Sequence, residues 1–224
     1  MNIKNKKLIL FDLDGTLIDS VPDLANAVNH TLKQLDREEF SHDTIRTWVG
    51  NGAQTLVKRA LSGSTTINKN IDENIFQKAL DIFLDFYTLN LAVQTTLYSD
   101  VKETLICLKQ KGYHLAIITN KPYDFIQPIL QEFGLLDIIE FYLGGDSLDV
   151  KKPDPYPLVY TCDKYNISIE KSIMIGDSKN DILAANKANM DSIALTYGYN
   201  YDEDISVYNP TVVIDNFSQI NEIL

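Results

Sequence analysis

Two carboxylates separated by one residue follow the first apolar run of the sequence. The run Leu8–Phe11 is apolar throughout, and Asp12, Leu13, Asp14 and Gly15 come directly after it. Alternate residues of a strand point to one face, so Asp12 and Asp14 can converge beyond the strand end. Two close carboxylates repel unless a cation lies between them or one keeps its proton. The segment therefore predicts a cation site or an acid/base pair; the alternative is an acidic turn, for which Asp-Gly is common chemistry.

A second apolar run, residues 173–175, also leads into carboxylates. Asp177 and Asp181 lie four residues apart, on one face of a helix that begins early. Alone, this pair is also what acidic capping of a helix would produce. Together with Asp12 and Asp14, it supplies the oxygen ligands that suit Mg²⁺ rather than zinc. We therefore predict a Mg²⁺ site formed by these four residues.

Two further segments carry groups that suit an anion. Thr119 and Asn120 follow an apolar run, where a hydroxyl and a backbone N–H can hold a phosphate oxygen, although Thr is also a common helix cap. Lys151 and Lys152 precede Pro153 in a stiffened loop. They are either a solvated basic turn or the counter-charge for an anionic substrate.

The composition limits the classes of partner. The chain has 224 residues, 45% hydrophobic and 23% charged, which is typical of folded globular proteins. Its 20 basic and 31 acidic residues give a formal net charge of −11, which argues against a nucleic-acid-binding face. An anionic substrate must overcome this unfavourable field through local cations, which Mg²⁺ and one lysine would supply.

The cysteines and the apolar runs exclude other classes. Cys107 and Cys162 form no paired-cysteine motif, which argues against a disulfide framework or a cysteine zinc site. No apolar run reaches the roughly 18 residues of a membrane span, and the one near the N-terminus is too short for a signal peptide. We expect a cytoplasmic protein with no membrane partner, either a monomer or a homodimer.

The predicted elements place the polar segments at one edge of a sheet. Apolar runs with the length of strands buried on both faces lie at residues 8–11, 115–118, 173–175 and 193–195, with two more candidates at 141–143 and 212–214. Helical periodicity separates them. Strands that alternate with helices predict a Rossmann-like α/β core around a parallel sheet with right-handed crossovers.

Residues 20–91 break this alternation because they show helical patterns only. Ser20 and Pro22 are typical of an N-cap and a first helical turn, and Ser41 can cap a second helix. We expect an all-helical cap domain over residues 20–91, inserted into a core domain formed by 1–19 and 92–224. An insertion after the carboxyl end of a strand lies over the usual ligand crevice of such sheets, so it would form a lid.

Taken in order, these segments resemble the four motifs of the haloacid dehalogenase superfamily. The matching residues are Asp12 and Asp14, Thr119, Lys152, and Asp177 with Asp181. The resemblance spans nearly the whole chain, and the helical insertion resembles the C1-type cap of that superfamily. Within it, the sequence is most similar to the phosphoglycolate phosphatases, through the stretches DLDGTLIDS from residue 12, VGNGA from 49, TNKP from 119, and GGDSL from 144 with the later KP.

The resemblance implies a Mg²⁺-dependent phosphomonoesterase. Asp12 would attack phosphorus and form an aspartyl-phosphate, and Asp14 would protonate the leaving oxygen and then activate water. Mg²⁺ would be held by the Asp12 side chain, the Asp14 backbone carbonyl and Asp177, with Asp181 binding directly or through water.

The remaining motif residues would bind the phosphoryl group. The resemblance implies that Thr119 and the Asn120 N–H hold a phosphoryl oxygen and that Lys152 offsets developing charge.

The narrower resemblance implies hydrolysis of 2-phosphoglycolate to glycolate and phosphate, with a small phosphorylated metabolite as partner. Gly50, Asn51 and Gly52 would bring backbone N–H groups to a small anion such as a carboxylate, or else form a plain turn. Lys58 and Arg59 are nearby candidate cations, or else ordinary solvated charges.

Other functions remain open at this point. The substrate of the same chemistry can be a sugar phosphate, a nucleotide or pyrophosphate, and the chain can instead be a phosphomutase similar to β-phosphoglucomutase. A phosphoacceptor module that is not an enzyme, such as a two-component receiver, needs only about 120 residues. The length of this chain therefore argues against a receiver.

Overall fold

The computed structural model describes residues 3–224. Six strands form one sheet in the order β5-β4-β1-β6-β7-β8, with every pairing parallel. Two short strands, β2 and β3, form a separate antiparallel pair. The strands are β1 Leu8–Phe11, β2 Ile18–Asp19, β3 Thr96–Leu97, β4 His114–Ile118, β5 Phe141–Leu143, β6 Ser172–Gly176, β7 Asp191–Leu195 and β8 Val212–Ile214.

Helices alternate with the strands of the large sheet, and four more lie between β2 and β3. The helices are α1 Val21–Gln34, α2 His42–Arg46, α3 Ala53–Ser62, α4 Glu73–Leu89, α5 Val101–Gln110, α6 Ile126–Glu132, α7 Tyr156–Tyr165, α8 Lys179–Lys187 and α9 Ile220–Ile223. The parallel sheet with its helices confirms the predicted Rossmann-like α/β fold.

Both faces of the sheet are covered, which explains the continuous apolar runs of its strands. In β1, Ile9 and Phe11 pack into one apolar cluster, whereas Leu8 and Leu10 pack into another on the opposite face. All four side chains are fully buried. A strand buried on both faces gains hydrophobic free energy from every residue, so it has no polar alternation.

The register of the central strands aligns the polar segments. β1 lies between β4 and β6, with Phe11 opposite both Ile117 and Ile175. Because the strands are parallel, the chain leaves all three at the same edge of the sheet. This is the edge where open α/β sheets bind ligands.

Helices α1–α4 pack around one apolar cluster, which Phe125 and Tyr199 also join. Each helix, or the segment directly after it, contributes a buried side chain to this cluster: Leu24, Trp48, Leu56 and Phe83. The pair β2 and β3, in which Ile18 lies opposite Leu97, forms the two chain connections to the large sheet. The division into a cap domain over 20–91 and a core domain remains a prediction.

Ser20 lies at the N-cap position of α1, as the sequence predicts. Pro22 lies in its first turn as expected, but the Ser20 side chain makes no capping hydrogen bond. The Ser20 hydroxyl instead donates to Asp14 Oδ1 at 2.6 Å. The cap at Ser41 is confirmed, because its Oγ accepts from the Thr44 N–H.

Among residues 3–224, none of the helices has the length and hydropathy that crossing a bilayer requires.

Candidate active site

Three buried carboxylates lie together at the carboxyl edge of the sheet. Asp12 follows β1, Asp177 follows β6, and Asp181 lies in the first turn of α8. One carboxylate oxygen from each lies within 4.8 Å of the others. Burial, with the neighbouring charges of Asp181 and Asp14, raises the pKa of Asp12 to about 6, although Lys152 opposes the shift. Burial and the charges of Asp12 and Asp181 raise the pKa of Asp177 well above its ordinary value.

A single lysine faces these acids. Lys152 Nζ lies 3.0 Å from Asp12 Oδ1 and 2.6 Å from Asp181 Oδ1, and its side chain is only 1% exposed. Burial alone would lower the pKa of Lys152, but the two carboxylates outweigh burial and raise it. Lys152 therefore stays charged and fixes the positions of both acids.

Asp177 is held by two short hydrogen bonds. The Thr16 hydroxyl donates to its Oδ1 at 2.6 Å, and the Tyr199 N–H donates to its Oδ2 at 2.6 Å. Gly15 lies against the same carboxylate with a φ of +91°, and a Cβ there would overlap Asp177. The glycine after Asp14 is thus required by both the backbone conformation and the close approach of Asp177.

This group of side chains fits a hard divalent cation. Three buried carboxylates face one ammonium among the described ion pairs, which leaves an excess of negative charge that burial makes costly. Asp12 Oδ1 accepts no hydrogen bond, although it is buried and ion-paired with Lys152. Carboxylate oxygens are the ligands that Mg²⁺ prefers. Asp181 is the least available of the three, because its oxygens accept bonds from Lys152 and from Ser178.

The Asp14 side chain turns away from this cluster. Its Oδ1 accepts from the Ser20 hydroxyl at 2.6 Å and from Lys121 Nζ at 2.9 Å. Lys121 in turn donates to the Tyr87 hydroxyl of α4 at 2.7 Å. Two carboxylates only two residues apart therefore have separate partners, so they can do different chemistry.

Thr119 and Asn120 lie beyond β4 as expected and line the same cavity as Asp12. The Thr119 hydroxyl accepts from the Lys121 N–H at 3.2 Å. The Asn120 side-chain amide donates to Gly50 O and Lys152 O, both at 2.9 Å. Asn120 thus joins the segment after α2 to the loop that carries Lys152.

The loop at Gly50, Asn51 and Gly52 packs against the sheet edge. Gly50 has a φ of +116°, and a Cβ there would lie 2.6 Å from the Tyr201 hydroxyl. Asn51 accepts from the Tyr201 hydroxyl through Oδ1 and from Lys151 Nζ through its carbonyl, both at 2.8 Å. Gly50 and Gly52 line the cavity, whereas Asn51 lies outside its lining.

A narrow cavity of about 30 Å³ lies between α1–α4 and the sheet edge. Its polar lining is formed by Asp12, Asp14, Thr119, Asn120 and Lys121. Its apolar lining comprises Leu24, Val49, Leu56, Phe83 and Phe125, with Tyr87 beside them. The two cations suggested by the sequence lie elsewhere. Lys58 lies over the Phe76 ring, and Arg59 donates to Trp48 O.

Sequence reasoning missed two residues of this site. Lys121 directly follows Thr119 and Asn120, so its place beside a strand end was an available signal. Tyr201 had no such signal, because only the folded chain brings it to Asn51 and to the Asn180 side chain.

The fold and the converging acids define an α/β enzyme whose site lies at the carboxyl edge of a parallel sheet. A family model described as haloacid dehalogenase-like hydrolase matches residues 9–195. The chain belongs to this family, and within the family it is a phosphatase.

Similar proteins match over the full length. A phosphoglycolate phosphatase of Colwellia psychrerythraea is 54% identical over 220 residues, which cover 98% of this chain and 97% of the relative. One of Psychrobacter arcticus is 48% identical over 221 residues, 98% of this chain and 96% of the relative. A crystal structure described as a predicted phosphoglycolate phosphatase of Haemophilus somnus is 40% identical, with a TM-score of 0.92 over 99% of each chain.

Proposed function

We propose that this enzyme is a Mg²⁺-dependent phosphomonoesterase that hydrolyses 2-phosphoglycolate to glycolate and phosphate. The observation that carries the proposal is the buried cluster of Asp12, Asp177 and Asp181 facing Lys152, with Asp14 held apart from it. The names of the similar proteins support the substrate, and their likeness extends over the whole chain.

The metal would be held by the side chains of Asp12 and Asp177 and by the backbone carbonyl of Asp14, with Asp181 binding directly or through water. When bound, Mg²⁺ would neutralise charge between the attacking carboxylate and the phosphate, which otherwise repel. The pairing of Asp181 with Lys152 gives this acid a second role, because it holds the ammonium beside Asp12.

Asp12 would be the nucleophile. Its carboxylate oxygen forms a bond to phosphorus while the bond from phosphorus to the glycolate oxygen breaks, and that oxygen takes the proton of Asp14. A water then forms a bond to phosphorus while the bond from phosphorus to the Asp12 oxygen breaks, and the water gives a proton back to Asp14. Phosphate is released and the Asp12 carboxylate is restored. Two easier displacements replace one difficult displacement.

The phosphoryl oxygens would be bound by Thr119, the Asn120 N–H and Lys152. The first two lie beside Asp12 in the cavity lining, and Lys152 lies 3.0 Å from the Asp12 carboxylate. Fixed donors at these places would stabilise the charge that develops on the phosphoryl group without the reorganisation that water needs.

Residues 20–91 would serve as the lid over the site. Gly50 and Gly52 would contact the substrate from this side, since both line the cavity. Asn51 would act through its bonds to Tyr201 and Lys151 by keeping the loop closed. A small phosphorylated metabolite is proposed over a nucleotide because the similar proteins are named phosphoglycolate phosphatases.

A panel of phosphate esters tests the proposal. The panel contains 2-phosphoglycolate, a sugar phosphate, a nucleotide and pyrophosphate, and we expect 2-phosphoglycolate to have the highest kcat/KM. EDTA should abolish turnover until Mg²⁺ is restored. If another ester had a clearly higher kcat/KM, the proposed substrate would be wrong and the proposed reaction class would still stand. Full activity in EDTA would contradict the proposed requirement for a metal. Phosphate that stays on an isomerised sugar would indicate a phosphomutase.

A further inference from the structure

Lys121 is a buried cation that the chemistry above does not use. Its side chain is 2% exposed. Burial alone would lower the pKa of Lys121, but Asp14 and the Tyr87 hydroxyl outweigh burial and raise it. Lys121 is therefore a permanent positive charge inside the closed site.

The position of Lys121 places it at the leaving-group end of the cavity. Its Nζ lies 2.9 Å and 3.3 Å from the two oxygens of Asp14, the proposed donor to the leaving oxygen. Lys152, in contrast, contacts Asp12 and Asp181 at the phosphoryl end. The two buried lysines thus serve opposite ends of a bound ester.

The three hydrogen bonds of the Lys121 ammonium differ in length. An ammonium carries three donors, and among residues 3–224 its acceptors are Asp14 Oδ1 at 2.9 Å, Asp14 Oδ2 at 3.3 Å and the Tyr87 hydroxyl at 2.7 Å. Tyr87 belongs to α4, so one side of the lid holds this lysine in place. The bond to Asp14 Oδ2 is the longest of the three, so its N–H is the donor that a ligand carboxylate in the cavity would take.

The rest of the cavity offers a carboxylate uncharged donors only, from Thr119, Asn120 and the backbone of Gly50 and Gly52. Of the residues that line it, Lys121 alone carries a positive charge, and the wall around it is formed by apolar side chains such as Leu24, Phe83 and Phe125. A carboxylate buried against such a wall without a cation would lose its hydration uncompensated.

We propose that Lys121 is the specificity residue that binds a carboxylate on the leaving group, so that this site selects acidic leaving groups. The inference rests on the proposed function and adds the residue that recognises its substrate. Were Lys121 instead only a support for Asp14, its loss would slow all phosphate esters alike.

The test compares two esters that differ only at the recognised group. 2-Phosphoglycolate and ethyl phosphate have the same two-carbon frame, but only the first carries a carboxylate. Lys121→Gln removes the charge and keeps N–H donors for Asp14 and Tyr87. Lys121→Arg keeps the charge, and Lys58→Gln is the matched control, since Lys58 lies over Phe76 outside the cavity lining.

We expect the unaltered enzyme to prefer 2-phosphoglycolate over ethyl phosphate in kcat/KM. Lys121→Gln should reduce this preference by about 10- to 100-fold, the usual value of a hydrogen bond to a charged group. The preference should survive better in Lys121→Arg and should not change in Lys58→Gln.

Each other result has a defined meaning. If Lys121→Gln slows both esters by the same factor, the inference is overturned and Lys121 only positions Asp14. If the unaltered enzyme treats the two esters equally, the proposed substrate itself fails. If neither Lys121 variant folds, inhibition of the unaltered enzyme decides: glycolate must inhibit more strongly than glycolamide, and equal inhibition overturns the inference.

Discussion

Asp12 and Asp14 show how one short motif supplies two different acids. Asp12 lies among carboxylates, and its pKa is raised to about 6 mainly by burial. Asp14 instead accepts hydrogen bonds from Ser20 and Lys121. The sequence predicted that both would leave the strand together, but it could not predict that their partners would differ. The partners of Asp14 come from the start of α1 and from the segment after β4, whereas Asp12 pairs with Lys152 in the loop before α7.

Replacing the nucleophile should remove turnover and spare the fold. We expect Asp12→Asn to lower kcat by about 10⁴-fold or more, because the amide cannot form the acyl-phosphate bond. Steady-state assays at saturating 2-phosphoglycolate measure the effect. Asp85→Asn, an exposed acid on α4, is the control and should keep full activity. Turnover near the normal rate in Asp12→Asn would mean that another residue attacks phosphorus.

The same variant should change stability in a way that depends on pH. The pKa of Asp12 rises from 3.8 to about 6 on folding, so this carboxyl destabilises the folded protein increasingly between those two pH values and fully above about 6. We expect Asp12→Asn in EDTA to melt at a higher temperature than the unaltered protein at pH 7. The difference should vanish near pH 4, where the folded protein holds Asp12 protonated.

Thermal melts at both pH values in EDTA measure this, with Asp85→Asn again as the control. An equal gain at both pH values would show that the crowding of carboxylates does not limit stability.

At the scale of elements, the continuous apolar runs predicted the strands well. The residues typical of helix caps predicted capping hydrogen bonds less well. The bounds of β1, β5 and β8 match the predicted runs. β1 is buried on both faces, whereas β5 and β8 are the two edge strands and keep partly exposed residues, so a short apolar run was a sufficient signal for these strands too. Ser20 occupies the predicted N-cap position of α1, but its hydroxyl bonds to Asp14 instead of capping the helix. A local pattern of residues has no information about such a distant competitor.

The loop before α3 provides a test of how the lid meets the sheet edge. We expect Gly50→Ala to lower kcat/KM by about 10-fold or more, because a φ of +116° is strained for alanine and its Cβ would lie 2.6 Å from the Tyr201 hydroxyl. Adding Tyr201→Phe should restore part of the loss by removing the hydroxyl. The assay is steady-state hydrolysis of 2-phosphoglycolate.

Gly112→Ala is the matched control for backbone strain. Its φ is +87°, and no atom lies within 4 Å of the added Cβ. It should lower the melting temperature and leave kcat/KM unchanged. If Tyr201→Phe restores nothing to Gly50→Ala, the contact with Tyr201 does not govern how the loop closes.

At the scale of the whole molecule, the parallel order of the strands brings most of the site residues to one edge of the sheet. Asp12, Thr119 and Asp177 could be placed together from the sequence because their strands end at one edge. The contacts of Lys121 with Tyr87 and of Tyr201 with Asn51 could not. These contacts depend on how α1–α4 pack against the edge of the sheet. The periodicity of apolar residues in the sequence does not encode that orientation.

A divalent cation should stabilise the molecule as a whole. We expect Mg²⁺ at 100 times its Kd to add about 2.7 kcal/mol to the free energy of unfolding, because it binds only the folded cluster. Asp177→Asn should lose most of this gain. Thermal melts with Mg²⁺ and with EDTA measure it. An equal gain in Asp177→Asn would place the ion elsewhere.

The central claim is that Asp12 carries the phosphoryl group during turnover. Its most direct test is the mass of the peptide around residue 12, after acid quenching within the first turnover of 2-phosphoglycolate with Mg²⁺. The account predicts one added phosphoryl group on Asp12, absent in Asp12→Asn and absent without substrate. A phosphoryl group found on another residue, or phosphate released while Asp12 never carries one, would contradict it.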